Sequence, residues 1–146
     1  MSKSNSWENA LQLLLFNNTN AANIGDATGL RGSSTAGNLY VSLHTGDPGE
    51  AGDQTTNEAN FTSYARVPVV RSSSGWTITA NSAANAALVT FAACTGGSST
   101  VTYFGVGTAL SGAGVLLGSG ALGASLAVSN GITPEFAIGA LTWSED

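Results

Sequence analysis

The chain of 146 residues has few of the side chains that enzymes use for chemistry. It contains one His, one Cys and one Met, and only 9% of its residues are charged. Nucleophiles, general acids and bases, and clustered metal ligands come from the side chains that are scarce here. We therefore expect a protein that works through its surface, with no enzymatic activity, no cofactor and no metal.

The shortage of positive charge excludes a second class of function. Four basic residues stand against nine acidic ones, which gives a net charge of −5. Proteins bind nucleic acids by neutralising many phosphates with Lys and Arg. The sequence also has no run of about eighteen apolar residues that could span a membrane. We expect neither nucleic acid nor membrane as a partner.

The single cysteine, Cys94, has no partner for an internal disulfide. Residues 1–8 carry one lysine followed by polar residues, and the apolar stretch after them is too short for the core of a secretory signal. We therefore expect synthesis in a cytoplasm. A chain of this length buries roughly 70% of its unfolded surface, which is enough for a core without disulfides.

An amphipathic helix is predicted near the start of the chain. Asn5 and Glu8 have the spacing of a capping box. The apolar residues that follow fall on one face of a helix over residues 6–16, and they are Trp7, Leu11, Leu14 and Leu15. One helix of about eleven residues is marginal on its own. Its leucine face must therefore pack against this domain, another subunit or a larger assembly.

An extended arm and then a β-domain are predicted after the helix. Residues 17–38 are rich in Gly, Ser, Thr and Asn, with Ile24 and Leu30 as the apolar anchors. From Leu39 to His44 apolar residues alternate with others, which predicts a strand with one buried face. The sequence therefore divides into a helix and arm over residues 1–38 and a β-domain over residues 39–146.

Short apolar runs with glycine-rich turns recur about every ten residues as far as Trp143. One of them, over residues 64–71, contains Pro68, which lacks a backbone donor and indicates a sheet edge or a bulge. No helical segment separates the runs. The pattern predicts a mainly β fold, an antiparallel β-sandwich of about eight strands, either jelly-roll or Ig-like.

Two motifs resemble a cofactor site and a catalytic site, but each is better explained as part of the packing of the fold. The glycines from Gly118 to Gly123 have the spacing of a dinucleotide fingerprint, but strand-like residues follow where that motif needs a helix. Glycines in such a context mark bulges or close backbone approach. His44 and Cys94 could form a base and a nucleophile, although packing is the ordinary role of such residues.

The loop from Thr45 to Asn60 collects four acidic residues, Asp47, Glu50, Asp53 and Glu58. Their spacing is not that of an EF-hand, so a solvated acidic loop is the simpler interpretation, and a bound cation is the alternative. The aromatic residues offer a second possible surface, since exposed rings stack on sugars. Trp76 shares its phase with Ile78 and should be buried, whereas Trp7 could face a partner.

Several stretches resemble a family of small virion proteins of tailed bacteriophages and prophages. The stretches are WENAL at 7–11, LYVSLHTGDPGEAG at 39–52, NEA at 57–59, YARV at 64–67, VTYFGVG at 101–107 and VSNGITP at 128–134. The resemblance covers nearly the whole chain and implies a place in the virion after synthesis in the host bacterium. Members are often labelled tail-fibre proteins, and their size and β-rich character also resemble capsid cement proteins. The family supplies no catalytic residues to carry over.

Of the two roles that the resemblance implies, the sequence favours capsid cement or decoration, because a fibre shaft would show a repeat and this chain has none. The alternative is a non-catalytic tail or tail-fibre module that binds host glycan. The expected partners are the major capsid protein and further copies of the chain, as a dimer or trimer. The predicted partner contacts are Trp7, Leu11, Leu14, Leu15, Ile24, Leu30, Asp47, Pro48 and Glu50.

Overall fold

The structure is a computed structural model that describes residues 3–25 and 29–145. Residues 26–28 of the predicted arm, and the terminal residues 1, 2 and 146 of the two predicted domains, lie outside the described residues. The described elements are α1 (Asn5–Asn17), β1 (Asn38–His44), β2 (Val67–Val70), β3 (Trp76–Thr79), β4 (Ser82–Asn85), β5 (Val89–Thr90), β6 (Ser98–Gly107), β7 (Leu116–Ser129), β8 (Glu135–Phe136) and β9 (Thr142–Ser144).

The described strands form three sheets. Their orders are β2-β1-β6-β7, β3-β4-β9 and β5-β8. The pairings β1–β6, β6–β7, β3–β4 and β4–β9 are antiparallel. The predicted mainly β class, with antiparallel sheets after one N-terminal helix, is confirmed.

The chain forms two compact units, each assembled from separate stretches of sequence. Unit 1 contains Met1–Asn38, Val69–Val89 and Phe136–Asp146, and unit 2 contains Leu39–Pro68 and Thr90–Glu135. The chain therefore crosses from one unit to the other four times, twice in each direction. The predicted division into residues 1–38 and 39–146 stays a prediction.

Helix α1 begins and ends with local capping bonds. The N-cap is Ser4, whose side chain accepts the Trp7 N–H, so the predicted cap at Asn5 is wrong by one residue. Asn18 adopts the left-handed conformation with φ of 54° and donates its N–H to Leu13 O, which ends the helix where the sequence predicted. The predicted bounds of 6–16 differ from the observed ones by one residue at each end.

The face of α1 that packs in unit 1 is not the leucine face. Glu8, Gln12 and Phe16 are the buried residues of the helix, and α1 contacts β3 and β4. The Phe16 ring meets Trp76 edge-on with centroids 4.8 Å apart and Trp143 with centroids 5.6 Å apart. Trp76 is buried as predicted. Large aromatic surfaces thus form the core of unit 1, and the leucines remain half-buried.

The segment between α1 and β1 has no helix or strand among its described residues, but hydrogen bonds hold it against the end of the helix. Asn18 holds Ser33 through both its side-chain amide atoms, at 2.8 and 2.6 Å. Ala21 and Leu30 exchange backbone bonds of 2.9 and 2.8 Å. Arg71 donates to Leu14 O and Leu15 O at 2.8 and 2.7 Å and to Ala36 O at 3.2 Å. One guanidinium therefore satisfies carbonyl groups at the end of the helix and in the arm.

In unit 2, strand β1 is buried on both faces, so the prediction of one buried face is wrong. Leu39, Val41 and Leu43 are buried as expected, but Ser42 and His44 are also fully buried. The reason is that the two polar side chains satisfy each other, with Ser42 Oγ and His44 Nε2 2.8 Å apart. Polar residues that pair in this way can face the interior of a sheet.

Pro68 lies in β2, the outer strand of its sheet, which confirms the first of the two predicted alternatives, an edge rather than a bulge. The predicted strand over residues 64–71 is shorter than expected, because β2 covers only Val67–Val70. Strand β7 occupies the opposite edge, and its fourteen residues include Gly118–Gly123. The glycine-rich motif is therefore part of a strand with register shifts against β6, as the sequence indicated.

Candidate functional site

The loop after β1 and the first half of β7 enclose a groove in unit 2. Its volume is about 510 Å³, within the range of about 300–1,000 Å³ that is usual for small-molecule sites. We call it the acidic groove, and it is lined by Asp47, Gly49, Glu50 and Gly52 of the loop, Tyr103 of β6 and residues 116–121 of β7. Two predicted contact residues, Asp47 and Glu50, thus share one concave surface.

Local backbone chemistry builds the loop wall of the acidic groove. Asp47 Oδ1 accepts the Gly49 N–H at 2.9 Å, and Gly49 has a φ of 68° that favours glycine. A Cβ at Gly52 would collide with the backbone of Pro48, so the turn requires glycine there as well. Asn57 Nδ2 donates to Asp47 O at 2.9 Å and braces the loop from its other end. The wall is therefore shaped before any ligand arrives.

Strand β6 supplies the floor of the acidic groove. Tyr103 is half-buried and stands between His44 of β1 and Ala121 of β7 in the sheet register. The residues that β7 contributes are small or apolar, and Ser119 among them is exposed. A tyrosine ring beside small side chains presents both an apolar surface and a hydroxyl group.

Ser42 and His44 of β1 form a buried polar pair in the same sheet as Tyr103 of β6. His44 Nδ1 is 2.8 Å from the Thr56 carbonyl oxygen, which can only accept, so Nδ1 carries the proton and Nε2 accepts from Ser42. Burial lowers the pKa of His44, against the opposing effect of its bond to Thr56. The ring is therefore neutral near pH 7. Both nitrogens are engaged in structural bonds, and Cys94 is buried with its thiol directed to Gly96 O at 3.2 Å.

A second polar cluster binds the acidic loop to the core of unit 2. Arg66 reaches both oxygens of Glu58, at 2.7 and 2.8 Å, and Tyr64 donates to Glu58 Oε1 at 2.9 Å. The bonds to Glu58 raise the pKa of Arg66, and burial raises the pKa of Tyr64 above its ordinary value. Arg66 is 4% exposed. The prediction of Glu58 as a solvated loop acid is therefore wrong, because Arg66 binds both of its oxygens. No local pattern in the sequence pairs these two residues.

Asp53 also serves the loop structure. Its Oδ1 accepts from the backbone and the hydroxyl of Thr55 at 2.8 and 2.6 Å, and these bonds lower the pKa of Asp53. Among the residues that the structure describes, no group of three or more His, Cys, Asp or Glu side chains is placed to hold a metal ion. Asp53 and Glu58 thus serve the structure of the loop, whereas Asp47 and Glu50 line the acidic groove, and Asp47 also accepts the Gly49 N–H.

The connection between β6 and β7 is held by hydrogen bonds from the core of unit 2 and exposes apolar side chains to solvent. Gln54 accepts the Ala109 N–H at 2.8 Å and donates its own N–H to Ala113 O at 3.0 Å. Arg66 donates to Ala109 O at 2.9 Å. Leu110 and Val115, in contrast, are 56% and 59% exposed. Sequence reasoning missed this feature, because its anchors come from residues more than forty positions away.

The remaining predicted contacts lie in unit 1 or inside the protein. Leu11, Leu14 and Leu15 line a cavity of about 380 Å³ together with Gln12, Arg31, Gly32, Ser33, Arg71 and Glu145. Trp7 is half-buried, Ile24 and Leu30 are 36% and 41% exposed, and Pro48 is buried. The structure thus brings the three leucines together in unit 1 and pairs Asp47 with Glu50 in unit 2. Whether any of them contacts a partner stays a prediction.

The described part of the chain contains no helix that is long and apolar enough to cross a membrane. A sequence search among curated proteins finds no match. The model of one protein family, described as podophage GP4 fiber I protein gp80, matches residues 2–144. The match includes every stretch that resembles the phage virion proteins and both walls of the acidic groove. The chain therefore belongs to the Gp80 family of podophage fibre proteins.

Proposed function

We propose that this protein is a non-catalytic structural component of a phage fibre and resides in the virion. The observation that carries the proposal is the match of the fibre-protein family over residues 2–144. A component of a fibre has to bind neighbouring subunits and present a surface to the host. The described residues offer features for both tasks.

The apolar tip between β6 and β7 suits contact with neighbouring subunits. Leu110 and Val115 are more than half exposed while the loop beneath them is held by Gln54 and Arg66. A rigid loop loses little conformational entropy when its apolar side chains become buried in an interface. We propose that this tip contacts another copy of the chain or an adjacent fibre protein.

The absence of catalysis belongs to the same proposal. The buried His44 and Cys94 and the half-buried Glu58 are each engaged in bonds within unit 2. Incubation of the purified protein with bacterial polysaccharides should release no new reducing ends. Release of sugar by the protein would contradict the non-catalytic role.

Labelling of intact particles tests the location. An antibody against the purified chain, visualised with gold by electron microscopy, should label the fibres and leave the heads unlabelled. An antibody against the major capsid protein serves as the control for access to the head. Label spread over the heads would contradict the fibre proposal and support the capsid-cement prediction made from the sequence.

A further inference from the structure

We infer that the acidic groove of unit 2 binds a neutral glycan. The inference deepens the proposed function, because it names the class of molecule that the fibre surface would recognise. It rests on the charge of unit 2, the composition of the groove and the rigidity of its wall.

Charge restricts the ligand first. The charged residues of unit 2 are Asp47, Glu50, Asp53, Glu58, Arg66 and Glu135. The single cation, Arg66, is buried and bound to Glu58. Asp47 and Glu50 therefore line the groove without a basic side chain from unit 2 to offset them. Uronic acids, sialic acids and phosphorylated sugars would be repelled there.

The composition of the groove matches a neutral sugar. Carboxylates such as those of Asp47 and Glu50 accept hydrogen bonds from neighbouring hydroxyl groups, and charged acceptors give the stronger bonds. The Tyr103 ring can cover the apolar face of a pyranose, and its hydroxyl can bond to the ring substituents. Gly118 and Gly120 in β7 contribute backbone to the lining of the groove, and the space that a Cβ of Gly120 would need is taken by the Phe104 ring. The volume of about 510 Å³ fits a short saccharide segment rather than a folded partner.

The rigidity of the wall favours binding of flexible, weakly apolar ligands. The Asp47–Gly49 bond, the left-handed Gly49 and the brace from Asn57 fix the loop in advance. Sugars gain little from hydrophobic burial, so a site that need not reorganise retains more of its contact energy as affinity.

Binding by the purified full-length chain tests the inference. The probes are an array of bacterial surface polysaccharides with defined repeating units, some neutral and some with uronic or sialic acids, and a tetralysine peptide. We expect binding to neutral polysaccharides, with an affinity that changes little between low and high salt. A cationic partner would instead bind tetralysine and weaken steeply as salt increases.

Two variants place the binding in the groove. Tyr103→Leu should weaken neutral-glycan binding about tenfold, because an aromatic contact is lost. Glu50→Gln, at an exposed position where folding is unaffected, should weaken it about fivefold through the loss of a charged acceptor. Glu135→Gln makes the same change of charge at an exposed position outside the groove and should leave binding unchanged.

Four outcomes would overturn the inference: binding of acidic glycans, binding of tetralysine alone, no glycan binding, or neutral-glycan binding that neither groove variant weakens. These outcomes leave the fibre assignment intact if gold label is still found on the fibres. Label on the heads, in contrast, would refute the proposed function whatever the array shows.

Discussion

Among single side chains, Arg66 shows that one of the few charged residues stabilises the fold from a buried position. It reaches both oxygens of Glu58 and the carbonyl of Ala109, and Tyr64 completes the cluster on the same carboxylate. A buried charge costs free energy unless its partners satisfy it fully. The cluster therefore holds the acidic loop and the β6–β7 connection in one arrangement. That loop forms one wall of the acidic groove.

Replacing Arg66 by Met should lower the free energy of unfolding by about 3–5 kcal/mol, because Glu58 would be left as an uncompensated charge of low exposure. Urea unfolding followed by tryptophan fluorescence and circular dichroism measures the change.

The double variant Glu58→Leu with Arg66→Met removes both charges and serves as the control. It should lose less stability than Arg66→Met alone, since no unpaired carboxylate remains. An Arg66→Met protein as stable as the native one would show that the cluster contributes nothing.

At the level of elements, the pairing of β1 with β6 depends on a glycine. Gly105 lies opposite Ser42 in the register, and a Cβ there would stand 2.7 Å from both His44 Nε2 and Ser42 Oγ. The polar pair on β1 is thus possible only because β6 has no side chain at that position. Both strands lie in stretches that resemble the phage virion proteins. Only the pairing of β1 with β6 explains why a glycine has to lie beside His44 and Ser42.

Gly105→Ala should destabilise the protein by about 1–3 kcal/mol, because the added methyl group must displace the His44–Ser42 pair. Thermal unfolding measures the shift. Gly123→Ala is the matched control in β7, since a Cβ at Gly123 meets no atom within 4 Å, and it should change the midpoint little. Equal effects of the two substitutions would contradict the role assigned to Gly105.

Helix α1 shows where element prediction from sequence succeeds and where it stops. The apolar spacing and the polar residues at each end predict its bounds to within one residue. The same spacing highlights the leucines, whereas the buried face contains Glu8, Gln12 and Phe16. The difference arises because Phe16 finds Trp76 and Trp143, from distant parts of the sequence, and Gln12 finds the carbonyl of Asn81 at 3.2 Å. Long-range contacts of this kind leave no local signal.

At the level of the whole molecule, the two units cannot be separated by one cut. Each unit takes stretches from several parts of the chain, and the final residues 136–146 belong to unit 1. They provide β9, the buried Leu141 and the groups that satisfy the buried amide of Asn85. These residues are therefore part of the core against which Phe16 of α1 packs.

Ending the chain at residue 135 should unfold unit 1, because its three-stranded sheet would lose β9 and Asn85 would lose its bonds to Ala137 O and the Leu141 N–H. Tryptophan fluorescence should report the unfolding through the exposure of the buried Trp76, and limited proteolysis through faster cleavage of unit 1. Lys3→Gln is the control, as it takes away the surface ion pair of Lys3 with Glu145 and should change little. Protection of the shortened chain equal to that of the full one would refute this account.

The mainly β class, the bounds of the helix, an edge or bulge at Pro68 and the strand character of the glycine-rich stretch in β7 could all be predicted from the sequence. These follow from local periodicity, capping and backbone chemistry, which act over a few residues. The folded chain was needed to see that Glu58 meets Arg66, that Phe16 rather than the leucines is buried, and that Asp47 and Glu50 share a groove with Tyr103. Such contacts join residues far apart in the chain, and their free energy depends on burial and complementary geometry that exist only in the folded protein.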